Sequence, residues 1–410
     1  MLNKADIEYN NIISKIHKDG EWDIGEDVRG RYDSDKAPAY TKSIFGHQVS
    51  FKNGTVPLIT SKKVFVLTAV KEAWLFWIMQ TVKEKDFKDN NVKIWDQWFK
   101  DGNLGRSYAY QFESHRHQKR ELVAVAPIVK SIPKTIKPYH LFKNSDKGTV
   151  KNYSEDEINT LYNIWNNMFD NVDEEKTFVH QDWYSFERFL RDIRYLPQFF
   201  LAKEEGFEEW VLDLNYYNSN YYSSKSCVWL PREESEVYSM WTEKYESNKR
   251  YELSRNQVVE LLNGIKYNSQ SRRLMTSFWN DADVDKKQLQ ECAWATQTNI
   301  KNNYMDFMLI QRSVDTGLGL PFNWIQYWLI GNLIAHVNNL KFRDFIHQMG
   351  NVHYYDRHED SLLQQIESHV YDTPSISFNR EIKDFFDFTP SDIIIDFYES
   401  GEHIPLEVSV

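Results

Sequence analysis

The chain has 410 residues, a formal net charge of −11 and 15% aromatic residues, enough for one large or two ordinary domains with a substantial core. The charge disfavours a nucleic-acid coat protein, and no apolar run is long enough for a membrane span. Two cysteines do not make a disulfide framework, and the first residues lack an apolar signal region, so we expect a free thiol in a reducing cytoplasm.

Hydrophobic spacing predicts the N-terminal elements. Isoleucines near helical spacing predict an amphipathic helix over residues 5–19. Alternation over 43–67 predicts strands around a turn at Asn53-Gly54. The aromatic and aliphatic pattern of 68–83 predicts a helix.

Further elements are predicted towards the C-terminus. Residues 293–313 are typical of two strands joined near Asn302-Asn303. A proline opens a largely apolar run over 321–340, which is typical of a buried helix. Residues 342–356 predict another strand.

Several side chains suited to nucleotide chemistry lie in one short stretch. Cys292 supplies a thiol, which is a strong nucleophile when ionised, and nearby cations lower its pKa. Arg312 beside Ser313 forms a clamp suited to phosphate. Asp315 adds a carboxylate, and the Asn323 amide offers a donor and an acceptor side by side, as a pyrimidine edge requires. Together they indicate a site that attacks a nucleotide.

These residues belong to a series of motifs that resembles the thymidylate synthase family, including its phage members that hydroxymethylate pyrimidine nucleotides. In chain order the motifs are SIFGHQ at 43–48, PLITSKK at 57–63, IWDQW at 94–98, SRR at 271–273, LQECAWATQ at 289–297, QRSVDTGLGLPFN at 311–323 and GNVHYY at 350–355. The resemblance implies an α+β fold with a mixed sheet that dimerises through the sheet. It assigns 1–112 and 251–410 to the catalytic domain and 113–250 to an inserted lobe.

The resemblance also implies how a nucleotide phosphate is held. The residues that match the family's phosphate ligands are Arg312, Ser313, Arg272 and Arg273. In this family the Arg-Arg pair comes from the other subunit, which implies a homodimer with shared sites. Where the family has a further phosphate-binding arginine, this chain has Lys36, with Arg31 as a rival.

The base and the sugar have matching residues as well. Asn323 matches the amide that reads N3 and O4 of uracil. An aspartate stands at this position in the deoxycytidylate hydroxymethylases, so the asparagine favours dUMP over dCMP. His353 and Tyr355 match residues that bond the deoxyribose 3′-hydroxyl, and their alternation predicts that both lie on one face of a strand.

The implied chemistry is covalent catalysis. Cys292 matches the thiol that attacks C6 of the pyrimidine, so that C5 becomes nucleophilic and accepts a one-carbon unit. Glu72 matches a glutamate that organises water and proton transfer, and a carboxylate on the apolar face of a helix is costly unless it is functional or paired. Tyr108 matches the tyrosine near the C5 proton.

The implied co-substrate is 5,10-methylenetetrahydrofolate, with no metal. Asp315 matches the carboxylate that binds the pterin ring and counts among the catalytic residues. The residues that match the folate-facing wall and the closing C-terminal lid are Ile94, Trp95, Phe322 and Val410. Lys62 is expected to meet the glutamate tail of the folate.

Two reactions share every step up to an exocyclic methylene on C5. Hydride then gives dTMP, whereas water gives 5-hydroxymethyl-dUMP. Ala293 stands where a histidine is usual, and the polar Gln290 and Glu291 precede the thiol, so we expect room for a water beside it. These departures favour a phage-type dUMP hydroxymethylase, with thymidylate synthase as the alternative and dCMP hydroxymethylase as a lower one.

Residues 113–250 carry no family motif. A basic run, HRHQKR at 115–120, is followed by a Lys-rich stretch to about residue 150 and then by an aromatic helical pattern. The series faintly resembles modules of phage HNH-type homing endonucleases, although it shows no convincing His–Asn–His set. We expect an inert or oligomer-modulating insertion; contact with nucleic acid, or nuclease activity, is possible only here. We expect no membrane partner.

Overall fold

The chain divides into two compact units. The first consists of residues 1–111, 261–385 and 390–410, and the second of 112–260 and 386–389. The computed structural model describes residues 3–113, 122–124, 152–170, 177–217, 219, 221–239, 249–251 and 253–409. Within these residues, no helix is long and apolar enough to cross a membrane.

A six-stranded mixed sheet forms the centre of the first unit. Its strands are β1 (Glu21–Trp22), β2 (Thr41–Phe51), β9 (Met275–Ser277), β10 (Ala293–Lys301), β11 (Tyr304–Asp315) and β12 (Lys341–Tyr355). They lie in the order β1-β2-β12-β11-β10-β9, and β11 and β12 are parallel while the other pairs are antiparallel. A parallel pair needs a long crossover, and the helix that follows β11 provides it.

Helices cover this sheet and supply most of the core. They are α1 (Lys4–Asp19), α2 (Val66–Trp77), α3 (Glu84–Asp89), α9 (Gly319–Val337) and α10 (Glu359–Ile366). The crossover helix α9 is apolar on nearly all sides and almost entirely buried, as expected for a helix inside a core. It packs against α2 and against β11 and β12. A two-stranded sheet of β13 (Ser375–Phe378) and β14 (Ile393–Asp396) completes the unit.

The second unit is built from short elements around aromatic side chains. Its helices are α4 (Glu155–Asp170), α5 (Phe186–Asp192), α6 (Phe199–Glu205) and α7 (Arg232–Ser239), and α8 (Gln257–Tyr267) spans its boundary. Its two-stranded sheets pair β3 (Leu122–Ala124) with β8 (Lys249–Tyr251), β4 (Phe178–Val179) with β6 (Tyr221–Tyr222), and β5 (Trp210–Asp213) with β7 (Val228–Pro231). Trp183, Phe189 and Trp229 are completely buried.

The predicted elements are largely confirmed. The helices predicted over 5–19 and 321–340 are present, and so are the two strands within 293–313. Asn302 and Asn303 have φ values of +51° and +64°, as the turn between those strands requires.

The prediction over 43–67 is wrong in its second half. A strand ends at Phe51, and residues 55–65 form no strand. After the Asn53-Gly54 turn, the Gly54 N–H bonds to the Arg343 carbonyl at the start of β12, so the partner of β2 comes from the far end of the chain. The segment that follows is held instead by the Asp6 carboxylate, which accepts N–H groups at 2.8 and 2.9 Å.

Candidate active site

Cys292 lies immediately before β10, where β10 meets β11. Its carbonyl oxygen accepts the Arg312 N–H at 2.8 Å, and its own N–H donates to the Tyr108 hydroxyl at 3.3 Å. The register of β10 against β11 shifts between Ala293 and Ala295, and such a bulge re-aims side chains next to active sites. The structure therefore brings the predicted nucleophile and the predicted tyrosine together.

Tyr108 is held in an unusual backbone conformation by a buried ion pair. Its φ of +44° is sparsely populated for a residue other than glycine and costs roughly 1–3 kcal/mol. Its N–H donates to Oε1 of Glu291 at 2.9 Å, and Oε2 of Glu291 accepts Nζ of Lys287 at 2.6 Å. Both charged side chains are completely buried. Phe76 stacks on the Tyr108 ring at 5.1 Å, so the hydroxyl is fixed against the Cys292 backbone.

The arrangement around Glu291 bears on the water expected beside the thiol. Both carboxylate oxygens of Glu291 have protein partners, and the residue is 0% exposed. Ala293 is also buried. Glu291 is therefore a structural anchor for Tyr108, and it does not offer a carboxylate to a catalytic water.

Arg312 reaches back to the segment before the thiol. Its Nε donates to the Glu291 carbonyl and its Nη2 to the Gln290 carbonyl, both at 2.9 Å. Its guanidinium also lies over the Trp279 ring, 5.8 Å from the centroid. The third nitrogen, Nη1, has no hydrogen-bond partner among the described residues, which leaves both of its N–H groups for an anion.

Burial and several nearby charges change the pKa of the Cys292 thiol in opposite directions. Burial, the largest effect, raises the pKa of Cys292 above its ordinary value. The Arg312 charge lowers this pKa, the carboxylates of Asp315 and Glu291 raise it, and the Arg29 charge lowers it again. The resting thiol is therefore protonated at neutral pH, and its attack on a substrate requires a proton acceptor.

Glu72 is a buried carboxyl whose two oxygens each accept one hydrogen bond. Oε1 accepts the Trp95 indole N–H at 3.0 Å, and Oε2 accepts Nε2 of Gln326 at 2.6 Å. Burial raises the pKa of Glu72 to about 7, and the two hydrogen bonds oppose that rise. A carboxyl with a pKa near neutrality can both release and take up a proton under working conditions.

Asn323 belongs to a relay of amides that ends at this carboxyl. Nε2 of Gln311 donates to the Ser313 carbonyl at 2.9 Å and to Oδ1 of Asn323 at 3.0 Å. Nδ2 of Asn323 donates to Oε1 of Gln326 at 3.3 Å, and Gln326 donates to Glu72. Gln311 and Gln326 are two members of this relay that were not predicted from the sequence. The position of Gln326, three residues after Asn323 on one helix, was the available signal.

Asp315 closes the turn between β11 and α9. Its Oδ1 accepts the N–H groups of Gly317 and Leu318 at 2.8 and 3.3 Å. Within the described residues its Oδ2 has no hydrogen-bond partner, so this oxygen suits a donor on a pterin ring. Lys62 supports the turn from behind, because its Nζ donates to the Gly317 carbonyl at 2.7 Å and to the Tyr9 hydroxyl at 3.1 Å. Burial lowers the pKa of Lys62 to about 8.

His353 and Tyr355 lie on the same face of β12, as their alternation predicts. Their rings are 5.5 Å apart at 84°. The His353 Nδ1 lies 2.7 Å from Oδ1 of Asn351, and burial lowers the pKa of His353, so the imidazole is neutral at pH 7. In the parallel register His353 is level with Asp315. Burial, together with the Asp315 charge, raises the pKa of Tyr355 to about 12.

The other predicted cationic phosphate ligands are not among the charges that act on the pKa of the thiol. Arg272 and Arg273 are exposed in the loop before β9. Lys36 is exposed and forms an ion pair with Asp33 at 2.5 Å. Arg31 donates to the carbonyls of Val28 and Gly30.

Arg29 is the residue that the sequence analysis overlooked in this loop. It is exposed and makes no ion pair with a described residue, and its charge reaches both Cys292 and Tyr355. Neither Lys36 nor Arg31 acts on the thiol in this way. Because this loop departs from the family motif, the only sequence signal for Arg29 was its position two residues before Arg31.

The predicted folate wall is partly in place. Trp95 is buried against Glu72, Ile94 is 45% exposed, and Phe322 is half-buried in the first turn of α9. Val410 lies outside the described residues. In the described part of the chain, no cluster of three or more His, Cys, Asp or Glu side chains could hold a metal ion.

Comparisons with known proteins identify the family of this chain. The family model for thymidylate synthase matches residues 7–185 and 160–410. Thymidylate synthases from Bacillus mojavensis and from the Bacillus phage phi3T are each 27% identical over 413 aligned positions, which cover 100% of both chains. A solved structure, the thermostable thymidylate synthase A of Bacillus subtilis, superposes with a TM-score of 0.62 at 25% identity and covers 99% of each chain.

The fold and the family match together define a pyrimidine nucleotide C5-methyltransferase. The chain belongs to the thymidylate synthase family. Enzymes of this family bind dUMP and a folate, act as dimers and use 5,10-methylenetetrahydrofolate as co-substrate. The predicted α+β fold is thereby confirmed.

Proposed function

We propose that this enzyme transfers a one-carbon unit to C5 of dUMP through a thioether between Cys292 and C6. The observation that carries the proposal is the alignment of three groups: a thiol beside the Tyr108 hydroxyl, a carboxyl with a pKa near neutrality, and an asparagine amide joined to that carboxyl. The co-substrate supplies the one-carbon unit, and Asp315 with its unpaired oxygen would orient it.

The residues divide the work as follows. The Cys292 thiolate adds to C6, which places negative charge on C5 and O4 of the base. Asn323 stabilises that charge at O4, and Glu72 gives and takes the proton that the addition and the later release of C5–H require. Arg312, Ser313 and Arg29 hold the phosphate, so the base is oriented before the thiol attacks.

For the last step we favour hydride transfer to give dTMP. Glu291 is buried and fully paired, so the carboxylate expected to hold an attacking water is not available. The named relatives are also thymidylate synthases. Water addition to give 5-hydroxymethyl-dUMP is the second candidate, because Oε1 of Gln311 is a buried acceptor beside Asn323 without a partner among the described residues and suits a bound water.

Mass spectrometry of the product distinguishes the two reactions. After incubation with dUMP and methylenetetrahydrofolate, a gain of one CH2 group with formation of dihydrofolate identifies methylation. A gain of one CH2O group identifies hydroxymethylation. Cys292→Ser is expected to abolish either product while keeping nucleotide binding, and Cys227→Ser, which changes the buried thiol of the second unit, is the matched control. An active Cys292→Ser enzyme would contradict the covalent mechanism.

We further propose that Arg272 and Arg273 complete the phosphate site of the partner subunit. Both are exposed, and neither is among the charges that act on the pKa of the thiol in their own chain. Phe45, Met275 and Tyr304 are large side chains on the sheet that are 88%, 44% and 39% exposed in the single chain. Burying such a surface between two sheets is the expected basis of the dimer.

We propose that residues 113–250 form an inserted lobe. The compact second unit over 112–260 supports it, and the basic run at 115–120 lies outside the described residues. An inert or oligomer-modulating lobe predicts that supercoiled DNA stays intact when it is incubated with the enzyme and Mg²⁺. Nicking of the DNA would support a nuclease instead.

A further inference from the structure

Gln326 is the central link of the amide relay and lies outside every motif that carries the family resemblance. It is 6% exposed on α9. Its Oε1 accepts from Asn323 and its Nε2 donates to Glu72, so one side chain touches both the base-reading amide and the proton-transfer carboxyl. A buried amide with both ends satisfied has a single favourable orientation.

The orientation of the whole relay follows from its first member. The Ser313 carbonyl can only accept, so Gln311 must turn its Nε2 towards it. The same nitrogen donates to Asn323, which therefore turns Oδ1 towards Gln311 and Nδ2 towards Gln326. Gln326 must then accept from Asn323 through Oε1 and donate to Glu72 through Nε2.

The direction of these hydrogen bonds affects base recognition at Asn323 and proton transfer at Glu72. Uracil presents a donor at N3 and an acceptor at O4, whereas cytosine presents an acceptor at N3 and a donor at its amino group, so each base needs the opposite amide orientation. A carboxylate at Glu72 accepts from Gln326 and keeps the relay in its present sense. A proton on Oε2 of Glu72 would favour the reversed Gln326 amide, whose N–H groups would then face Nδ2 of Asn323.

We propose that Gln326 is a positioning residue that couples the ionised state of Glu72 to the uracil-reading orientation of Asn323. The inference rests on the proposed use of dUMP. In this proposal, the same chain of hydrogen bonds determines both the selection of uracil over cytosine at Asn323 and the ionised state of Glu72 for proton transfer. The base-reading amide then discriminates against cytosine most strongly when Glu72 is ionised.

The groups around Glu72 do not titrate near neutral pH, so their titration does not overlap with that of Glu72. Its two hydrogen-bond donors, Trp95 and Gln326, do not titrate near neutrality. Tyr327 faces it from α9, and burial together with the charges of Glu72, Glu291 and Cys292 raises the Tyr327 pKa, so this phenol stays neutral. Of these groups around Glu72, only Glu72 itself titrates near pH 7.

Variants that cut the relay at different points test the coupling. Gln326→Met has a similar volume but removes both hydrogen bonds, whereas Trp95→Phe removes the other donor to Glu72 and leaves the amides intact. Both variants are expected to move the acid limb of the kcat/KM profile for dUMP to higher pH, because each removes a bond that favours the carboxylate. At a pH above the acid limb of every variant, where Glu72 is ionised in all of them, only Gln326→Met is expected to lower the ratio of dUMP to dCMP affinity, by roughly tenfold.

A conservative variant separates positioning from simple packing. Gln326→Glu keeps an acceptor for Asn323 but places a second carboxyl beside Glu72, so it should retain the affinity ratio while moving the acid limb further upward. Affinities are measured by calorimetry with each nucleotide alone, at a pH above the acid limb of every variant, so that Glu72 is ionised throughout. If wild-type enzyme binds dUMP but Gln326→Met leaves the ratio unchanged, or if Trp95→Phe lowers it equally, the inference is overturned. A wild-type enzyme that does not bind dUMP overturns the proposed function as well.

Discussion

At the scale of single residues, Arg29 and Lys36 lie in the same loop but differ in their ionic contacts. Lys36 forms a surface ion pair with Asp33. Arg29 forms no ion pair with a described residue, and its charge lowers the pKa of the Cys292 thiol. Both are exposed, so neither is needed for the core. We therefore expect Arg29 to be the phosphate ligand of this loop in place of Lys36, which its aligned position predicts.

Arg29→Ala is expected to weaken dUMP binding by about thirtyfold, because a charge-assisted hydrogen bond to phosphate contributes about 2 kcal/mol. Lys36→Ala, in the same loop, is expected to change binding less than threefold. Calorimetric titration with dUMP measures both. Equal losses in the two variants would return Lys36 to the role predicted from its aligned position.

Glu72 links the stability of the fold to pH. Its folded pKa of about 7 lies above the ordinary value of 4.5, so the unfolded chain releases this proton first as the pH rises. A carboxyl with a raised pKa stabilises the folded state fully below about pH 4.5, and this contribution is lost as the pH rises through about 7. The ionised form is therefore tolerated for catalysis at a cost in stability.

Comparison of wild type with Glu72→Gln reveals this cost. Between about pH 5 and about pH 8, the unfolding free energy of the wild type is expected to fall relative to that of Glu72→Gln. The upper limit of this change is on the order of 3 kcal/mol. Urea denaturation at a series of pH values gives the difference, and any constant offset from altered hydrogen bonding cancels in its slope. Parallel pH dependences of the two proteins would show that Glu72 titrates normally.

At the scale of elements, the buried pair Lys287–Glu291 joins the segment before β10 to the turn that carries Tyr108. Lys287 Nζ also donates to the Phe278 carbonyl at 3.2 Å, so its charge is well solvated by protein groups. The pair thus stabilises the left-handed conformation of Tyr108 and the position of the thiol at once.

Breaking this pair is expected to be costly. Glu291→Gln keeps an acceptor for the Tyr108 N–H but leaves Lys287 buried without a counter-charge, which destabilises the fold by about 3–5 kcal/mol. The exposed pair Lys85–Asp89 is the matched control, and Asp89→Asn should cost less than about 1 kcal/mol. Urea denaturation at neutral pH compares the two. A small loss in Glu291→Gln would mean that Lys287 releases its proton or reaches solvent.

At the scale of the whole molecule, the arginine loop before β9 and the thiol are expected to work in different subunits. This can be tested with two inactive homodimers, one carrying Cys292→Ser and the other Arg272→Ala with Arg273→Ala. In a mixed dimer, the site with the intact thiol receives intact arginines from its partner. Subunit exchange is therefore expected to restore about a quarter of wild-type activity. If the arginines serve their own chain, mixing restores none.

The sequence by itself determined the elements and the chemistry-bearing residue types. Helical and alternating periodicity is local, so α1, α9 and the strands on either side of Asn302-Asn303 could be predicted. Cys292, Glu72 and Asn323 could be named because their types and surroundings match a family motif. The same local information failed over 55–65, where the partner of β2 comes from nearly three hundred residues away.

Only the tertiary structure decided which side chains act together. Glu72 and Gln326 are 254 positions apart, and Tyr108 and Glu291 are 183 apart, so no window of sequence contains either pair. Hydrogen bonds and ion pairs between such residues form because α2 packs on α9 and because β10 brings the thiol segment to the Tyr108 turn. Packing places these groups within bonding distance away from water, and there their orientations and pKa values are set.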